Sequence, residues 1–436
     1  MSRQTVLAAR TAQEQPDTTE IQALAEAAGF EVTRILTQTR PEDATYNLGP
    51  GKVDEVADAV RETGASTVIV DNRLTPAQLF ELTDRLPDGT EVRDRYRLIL
   101  DIFEAGAQTK RAQLQVELAR LRHELHHRRE EQRRNEEWQG LQTIRDPEGE
   151  WIREVKQRID RAQNRLNDLP DDPTAPRDRK REDGFDFVAL AGYTNAGKST
   201  LLHRLADDLS IDETPAHADL GDGTAAVEDR LFKTLDTTTR RATIEGRRVL
   251  VSDTVGFVRD LPHDLVEAFR STLTEVRNAD VVVLAVDASD GVREMRERIE
   301  TCRAELDTDA TVVTAFTKAD LTPEEEIRRK AAELADVAPD PVPVSAVEDA
   351  GLETLRERVV EPLPTESATF EIPNSDESMR FVSWCYEHAT VGSIEYGERV
   401  RLTLSGRPPV VAKARSRADD RRRERRTACC GTDRAD

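Results

Sequence analysis

The sequence contains few cysteines and no long apolar segment. Its four cysteines, in 436 residues, lack the spacing of a zinc site or of a disulfide framework. The longest apolar run, Val281–Val286, has about six residues, whereas a helix that spans a bilayer needs about 20. The first ten residues also lack the apolar core of a secretory signal. We therefore expect a cytoplasmic protein with reduced cysteines and no membrane span.

Lysine is scarce as well. Only nine of the 63 basic residues are lysines, and 85 acidic residues bring the net charge to −22. This composition predicts a protein that stays dissolved in concentrated salt, such as one from a halophilic archaeon, although a high-GC genome that replaces lysine by arginine would produce the same bias. A charge of −22 ordinarily opposes binding to nucleic acid. In molar salt the Debye length falls to about 3 Å, so that only local charge matters.

The apolar pattern changes along the chain, which is long enough for two to four domains of roughly 100–200 residues. Alternating strand and helix patterns over 1–105 predict a small α/β domain. Apolar residues spaced by three or four positions, from Leu114 to Leu125 and from Ile152 to Leu169, predict an antiparallel helical hairpin over 106–170. This hairpin is locally basic, which fits either a solvated surface or the binding of a polyanion.

The second half of the chain has the pattern of a doubly wound, mostly parallel sheet over 185–364, after a polar, proline-containing linker over 171–184. A small α+β unit is predicted over 365–412, and a basic, disordered tail over 413–436. The segments expected to form strands are Phe187–Ala191, Val249–Ser252, Val281–Val286, Thr311–Phe316 and, in the α+β unit, the alternating patches Arg399–Leu404 and Val410–Ala412.

The segment GYTNAGKS, residues 192–199, fits the pattern G-x-x-x-x-G-K-[ST] between a predicted strand and a predicted helix. Its glycines let backbone N–H groups surround phosphate groups, and the helix N-terminus adds a favourable field. Lys198 is predicted to reach the β and γ phosphates, and the Ser199 hydroxyl to bind Mg²⁺.

Three further elements follow in the order expected of a GTP-binding domain. A D-x-x-G element (253–256) follows a buried strand, so that Asp253 can hold the water shell of Mg²⁺ and Gly256 can sense the γ-phosphate. In the element TKAD (317–320), the Asp320 carboxylate can accept hydrogen bonds from guanine N1–H and N2–H, which adenine lacks. The dipeptide Ser345-Ala346 can offer a backbone N–H to guanine O6. Together the four elements predict Mg²⁺-dependent GTP binding.

Several longer segments resemble HflX, a family of ribosome-associated GTPases. They are GYTNAGKSTL, LFKTLDTTTR (231–240) and SDTVGFVRDLPHDLVEAF (252–269), together with DNRLTPAQLFEL (71–82) and DRYRLILDIFEAGAQTKRAQLQVELARL (94–121) upstream. The resemblance implies a nucleotide-responsive N-terminal α/β domain, a helical hairpin and a GTPase domain. It also implies binding to the large ribosomal subunit and, in several members, the splitting of stalled ribosomes.

The family pattern in LFKTLD implies that Thr234 reaches Mg²⁺ and the γ-phosphate. From the residues alone, Thr237, Thr238 or Thr239 would serve as well. The chain departs from the family at the hairpin tip, where the glycine-rich segment is reduced to DPEGE (146–150) and the basic-aromatic stretch before it is replaced by HELHHRREEQRRNEEW.

Lys198 and Thr234 are predicted to be catalytic, and Ser199, Thr234 and Asp253 to bind Mg²⁺. The predicted nucleotide-binding residues are Gly192, Tyr193, Thr194, Asn195, Ala196, Gly197, Lys198, Ser199, Thr200, Phe232, Lys233, Thr234, Leu235, Asp236, Asp253, Thr254, Val255, Gly256, Thr317, Lys318, Ala319, Asp320, Ser345 and Ala346.

The leading hypothesis is a monomeric enzyme that binds GTP and GDP, hydrolyses GTP slowly, and binds the large ribosomal subunit in ribosome splitting, rescue or recycling. One alternative is a timer of ribosome assembly, and another is a nucleotide-dependent regulator of a protein partner that binds the hairpin. Slow hydrolysis is expected because Phe257 follows D-x-x-G where many GTPases place a water-orienting glutamine. We expect this side chain to be packed and not catalytic.

Overall fold

A computed structural model describes residues 3–107, 109–139, 150–169, 180–206, 239–254, 256–259, 276–306 and 308–418. Two compact units make up the chain, with the boundary close to residue 171. None of the helices within these ranges combines the length and the apolar character needed to cross a bilayer.

The first unit contains a four-stranded parallel sheet in the order β2-β1-β3-β4. Its strands are β1 (Arg3–Thr11), β2 (Phe30–Thr39), β3 (Thr67–Val70) and β4 (Glu91–Asp94). Its helices are α1 (Thr19–Ala27), α2 (Pro50–Thr63), α3 (Pro76–Arg85), α4 (Arg95–Gly106), α5 (Lys110–Gln139) and α6 (Glu150–Asn167).

Local sequence signals explain where several of these elements begin. The β-branched run of β3 is buried at every position, as expected for a strand inside a parallel sheet. Helix α3 begins with Pro76 directly after Thr75, and the Thr75 and Gln78 side chains form a capping box. Helices α5 and α6 occupy the region predicted to form the hairpin, and Arg122 of α5 donates a hydrogen bond to Gln163 of α6 at 3.5 Å.

The second unit contains a six-stranded sheet in the order β10-β9-β8-β5-β7-β6, which is parallel except for β6. Its strands are β5 (Asp186–Gly192), β6 (Thr239–Ile244), β7 (Arg247–Asp253), β8 (Val281–Asp287), β9 (Thr311–Thr317) and β10 (Val342–Pro343). Its helices are α7 (Lys198–Leu205), α8 (Val292–Leu306), α9 (Glu324–Glu333) and α10 (Leu352–Val360). The predicted α/β class with a mostly parallel, doubly wound sheet is confirmed.

Both faces of this sheet are covered. Alternate residues of each strand point to opposite faces. Leu284 of β8 therefore packs in one core with Ile299 of α8, whereas the neighbouring Val283 packs in a second core with Leu201 of α7 and Leu355 of α10. Burial on both faces explains why β5 and β8 are nearly continuous apolar runs instead of alternating ones.

The last part of the chain that the structure describes contains a small three-stranded antiparallel sheet in the order β11-β13-β12. Its elements are β11 (Glu366–Pro373), α11 (Asp376–His388), β12 (Thr390–Tyr396), β13 (Arg399–Gly406) and a helix, α12, over 408–418. Here the structure differs from the sequence-based expectation, because Val410–Ala412 is helical. Val410 and Ala414 both enter the core of this sheet, so α12 continues past the predicted boundary at 412 and the first residues of the predicted tail are ordered helix. The remaining domain boundaries stay predictions.

A buried polar network fixes this C-terminal sheet to the amino ends of the central strands. Arg407, at the start of α12, donates hydrogen bonds to Asp186 at 2.7 Å and to Asp280 at 2.6 Å. Arg247 donates to the other oxygen of Asp186 at 2.6 Å and to the carbonyl of Pro364 at 3.1 Å. Burial raises the pKa of Asp186, and the two arginines oppose this shift. Asp186 begins β5, Arg247 begins β7, and Asp280 precedes β8, so three strands are anchored to the C-terminal sheet.

We predict that Arg407→Met lowers the free energy of unfolding by about 3–5 kcal/mol, because it leaves two buried carboxylates without their shared cation. Arg415→Met in the same helix is the matched control. Its guanidinium is half exposed and pairs with Glu366 at 2.6 Å, so we expect a loss of at most about 1 kcal/mol. Urea unfolding of both variants checks the prediction, and equal losses would show that the buried network does not stabilise the unit.

Candidate functional site

The segment 192–199 forms a loop between the carboxyl end of β5 and the first turn of α7. Gly192 and Gly197 have φ angles of 147° and 78°, and Asn195 between them has a φ of 61°. A Cβ atom at Gly192 would collide with the carbonyl of Ala285 on the neighbouring strand β8. The glycines therefore permit a sharp turn from β5 into the N-terminus of α7, and a helix N-terminus preceded by a glycine-rich turn is suited to bind an anion.

The Lys198 ammonium lies inside this loop. The residue is only 7 % exposed, and its Nζ donates to the carbonyl of Tyr193 at 2.7 Å. Burial holds the pKa of Lys198 below its ordinary value, and the nearby Asp253 carboxylate opposes the shift. A Cβ atom at Gly256 would lie 3.0 Å from this Nζ, so the glycine of D-x-x-G is in close contact with the loop.

Two oxygen-bearing side chains meet beside Lys198. The Ser199 hydroxyl donates to the Asp253 carboxylate at 2.7 Å, although the residues are 54 positions apart in sequence. The Thr254 hydroxyl bonds the carbonyl of Leu190 at 2.7 Å, which fixes the end of β7 against β5. A hydroxyl and a carboxylate are hard oxygen donors of the type that Mg²⁺ prefers, and Mg²⁺ sites commonly use only one or two protein oxygens besides phosphate and water. The residues present therefore fit a magnesium ion.

The element TKAD begins at Thr317, the last residue of β9, and lies against the same loop. The Thr317 hydroxyl lies 2.9 Å from the carbonyl oxygen of Ala196 and 3.0 Å from that of Val286, and these two acceptors share its single hydrogen. Lys318 adopts a left-handed conformation (φ 53°) and forms an ion pair with Asp287 at 2.7 Å.

Asp287, at the carboxyl end of β8, is a site residue that the sequence analysis missed. Burial acts to raise its pKa, but the hydrogen bonds from Lys318 and Ser289 outweigh burial and hold the pKa below its ordinary value. An acidic residue directly after the apolar run Val281–Val286 was the available signal, because carboxyl ends of parallel strands share one edge of the sheet.

The dipeptide Ser345-Ala346 follows β10 at this edge. The Ala319 N–H donates to the carbonyl of Val344 at 3.1 Å, so the two guanine-reading candidates are adjacent. Ser345 is buried, and its hydroxyl accepts from the Glu348 N–H at 3.0 Å. The structure therefore brings 192–200, Asp253, Thr254 and Gly256, the segment 317–320, and Ser345-Ala346 to one edge.

Some predicted site residues lie outside the described part of the chain. They are Phe232, Lys233, Thr234, Leu235, Asp236 and Val255. The alternatives Thr237 and Thr238 also lie outside it. Thr239 begins β6, and its hydroxyl lies 2.8 Å from that of Ser252.

The expectation that Phe257 is packed is confirmed. Its side chain is 3 % exposed and lies in a core that includes Tyr193 and Val276. Its backbone N–H donates to Gly192 at 3.1 Å, and its carbonyl accepts from Thr194 at 2.8 Å. The ring therefore helps to fix the backbone beside the phosphate loop.

A phosphate loop, an adjoining D-x-x-G element and a T-K-x-D element at the carboxyl edge of a doubly wound sheet define a P-loop GTPase. Residues 15–104 match a family described as "GTP-binding GTPase N-terminal", and residues 187–318 match one described as "50S ribosome-binding GTPase".

Relatives that carry the name GTPase HflX match across nearly the whole length. That of Thermococcus kodakarensis is 35% identical over 88% of this chain and 87% of its own. The Methanocaldococcus jannaschii protein is 33% identical over 85% of this chain and 88% of its own. The Escherichia coli protein is 35% identical over 91% of this chain and 90% of its own. The chain belongs to the HflX family of GTPases. It accordingly binds GTP and GDP and hydrolyses GTP.

We predict that Phe257→Leu, which keeps an apolar side chain in the core, leaves the basal rate of GTP hydrolysis within a few fold, because the ring has no donor or acceptor for the attacking water. Phe257→Ala should in addition lower the free energy of unfolding by about 3–5 kcal/mol. Single-turnover hydrolysis and thermal unfolding of both variants test this. Complete loss of hydrolysis in a folded Phe257→Leu protein would assign the ring a direct role.

Proposed function

We propose that this protein hydrolyses GTP in a Mg²⁺-dependent reaction at the carboxyl edge of β5, β7 and β9, and couples it to binding of the large ribosomal subunit during ribosome splitting, rescue or recycling. The observation that carries the proposal is the contact between Ser199 and Asp253 beside the buried Lys198. This contact brings a hydroxyl and a carboxylate together near an ammonium group, which supports binding of phosphate and Mg²⁺ there.

In this proposal Lys198 leaves the carbonyl of Tyr193 and donates to the β and γ phosphates, where its charge offsets the charge of the transition state. Ser199 and Asp253 hold Mg²⁺, with Thr234 as a third candidate, and the ion neutralises phosphate charge when it is bound. Gly256 lies close to the Lys198 ammonium group, and in this proposal its N–H group senses the γ-phosphate. Lys198 and Thr234 are the proposed catalytic residues.

Guanine recognition is assigned to Asp320 and Ala346. The Asp320 carboxylate accepts from guanine N1–H and N2–H, and the backbone N–H of Ala346 donates to O6. Thr317 stands where asparagine is commoner, and its single hydroxyl hydrogen is used on a backbone carbonyl. In this role Thr317 holds the phosphate loop against the guanine-reading turn, and discrimination against ATP falls mainly to Asp320.

The proposed ribosomal partner is supported by the description of the family that matches residues 187–318 and by the HflX relatives. We propose that the protein acts as a cytoplasmic monomer. The side chain at 257 has no group that could orient water, so this group has to come from elsewhere, either through rearrangement of the segment 231–240 or from a partner. A large ribosomal subunit that binds the protein and stimulates hydrolysis would account both for the family description and for the missing water-orienting group. A role restricted to the regulation of a protein partner would not require stimulation by the subunit.

We predict that purified large subunits raise kcat for GTP hydrolysis at least about tenfold, a barrier change of about 1.4 kcal/mol. Sedimentation should show binding that is stronger with a non-hydrolysable GTP analogue than with GDP. Lys198→Ala is the control and should lose hydrolysis with and without subunits.

An unchanged rate together with no cosedimentation would contradict the ribosomal role and favour the protein-regulator alternative. Binding that occurs only with immature subunits would favour the assembly timer.

A further inference from the structure

Lys330 of α9 is a buried lysine outside the four nucleotide-binding elements. It is 3 % exposed, and its Nζ donates to the carbonyl of Ala288 at 2.8 Å. The Glu326 carboxylate lies 3.1 Å from the same ammonium group. Lysine is rarely buried to this extent, because taking an ammonium group out of water costs free energy unless its donors are used.

Lysine is also rare in this sequence, where arginine supplies most of the positive charge. The chain has nine lysines, and the other 54 of its 63 basic residues (63 − 9) are arginines. Lys198, Lys318 and Lys330 are three of the nine, and each ammonium contacts a carbonyl or carboxylate at the nucleotide edge of the sheet. A compact ammonium group fits where the branched guanidinium of arginine would need more room.

The carbonyl that Lys330 contacts belongs to the turn after β8, residues 287–289. It also accepts a hydrogen bond from the Thr322 hydroxyl at 3.1 Å, so both of its lone pairs are used. The N–H group of the same residue, Ala288, donates to the carbonyl of Thr317 at 2.8 Å. The turn is therefore bonded to both ends of the segment 317–322.

Asp320 lies inside that segment. On one side, Lys318 has a left-handed conformation that costs free energy for a residue other than glycine, and its ion pair with Asp287 of the turn supports this conformation. On the other side, Thr322 is held by Ala288. The position of Asp320 therefore depends on the turn 287–289, in which the Ala288 carbonyl accepts a hydrogen bond from Lys330.

We propose that Lys330 is a positioning residue for guanine recognition, which acts by fixing the Ala288 carbonyl and, through it, the turn that carries Lys318 and Asp320. The proposal rests on the assignment of Asp320 to guanine. Without the ammonium group, one bond to the turn is lost, Lys318 can relax from its left-handed conformation, and Asp320 moves relative to the base.

The test compares the affinities of the full chain for GDP and for inosine diphosphate, measured by calorimetry. Inosine lacks the exocyclic amine, so Asp320 can accept two hydrogen bonds from GDP but only one from inosine diphosphate. The ratio of the two dissociation constants therefore reports how well Asp320 is placed, and a general loss of stability does not move it. We expect the wild-type protein to prefer GDP by at least about tenfold, or about 1.4 kcal/mol.

Lys330→Met removes the donor and keeps most of the side-chain volume, and we expect the preference for GDP to fall at least threefold. Ile327→Val, one turn earlier on the buried face of α9, is the matched control, which should alter stability and leave the ratio unchanged. Thr322→Val removes the other donor to Ala288 and should lower the ratio as well, which keeps the test decisive if Lys330→Met does not fold.

The Asp320→Asn variant separates a failure of the guanine assignment of Asp320 from a failure of the positioning role of Lys330. If it leaves the ratio unchanged, the guanine site itself is wrong. The other outcome is that Asp320→Asn abolishes the preference for GDP while the folded Lys330→Met protein retains the wild-type ratio. That result overturns the positioning role of Lys330 and leaves the guanine site in place. If Lys330→Met does not fold, the same conclusion is drawn from Thr322→Val.

Discussion

The register between β5 and β7 is the constraint on which the nucleotide edge depends. Leu190 pairs with Asp253, and the Thr254 hydroxyl bonds the carbonyl of Leu190. This register places the Asp253 carboxylate beside Ser199, on the first turn of the helix that follows β5. A shift of one residue would turn Asp253 to the other face of the sheet and would move Val251 and Val249 out of their core. Apolar packing and the geometry of the site therefore specify the same register.

The two edges of the sheet are stabilised in different ways. At the carboxyl edge, hydrogen bonds between loops bring Ser199, Asp253 and Thr317 together, and glycines allow the close approach. At the amino edge, the buried cluster of Asp186, Arg247 and Arg407 joins the strands to the C-terminal sheet. The central strands β5 and β8 connect these edges and are buried at every position. The C-terminal sheet is consequently fixed to the strands that end in the phosphate loop and in D-x-x-G.

Those parts of the fold that follow from local patterns were predictable. The strands that contain Phe187–Ala191 and Val281–Val286 could be placed because buried parallel strands are continuously apolar. The phosphate loop could be placed because its pattern has a fixed spacing. The helix over 408–418 was missed because β-branched Val410 and Val411 favour a strand locally, whereas tertiary packing favours the helix. The role of Lys330 was not visible because it depends on a contact with Ala288, 42 positions away, for which a single sequence has no signal. Asp287 could have been noticed as an acidic residue at the end of an apolar run, but its ion pair with Lys318, 31 positions away, could not.

The central claim is that the carboxyl edge of this sheet recognises a guanine nucleotide through Asp320 and hydrolyses it. Its most direct test is the hydrolysis of GTP and of xanthosine triphosphate by the Asp320→Asn protein. Asparagine can donate to the oxygen that xanthine carries in place of the exocyclic amine, so the account predicts that the variant prefers xanthosine triphosphate while the unmodified protein prefers GTP. An Asp320→Asn protein that still selects GTP as strongly as the unmodified chain would contradict the account.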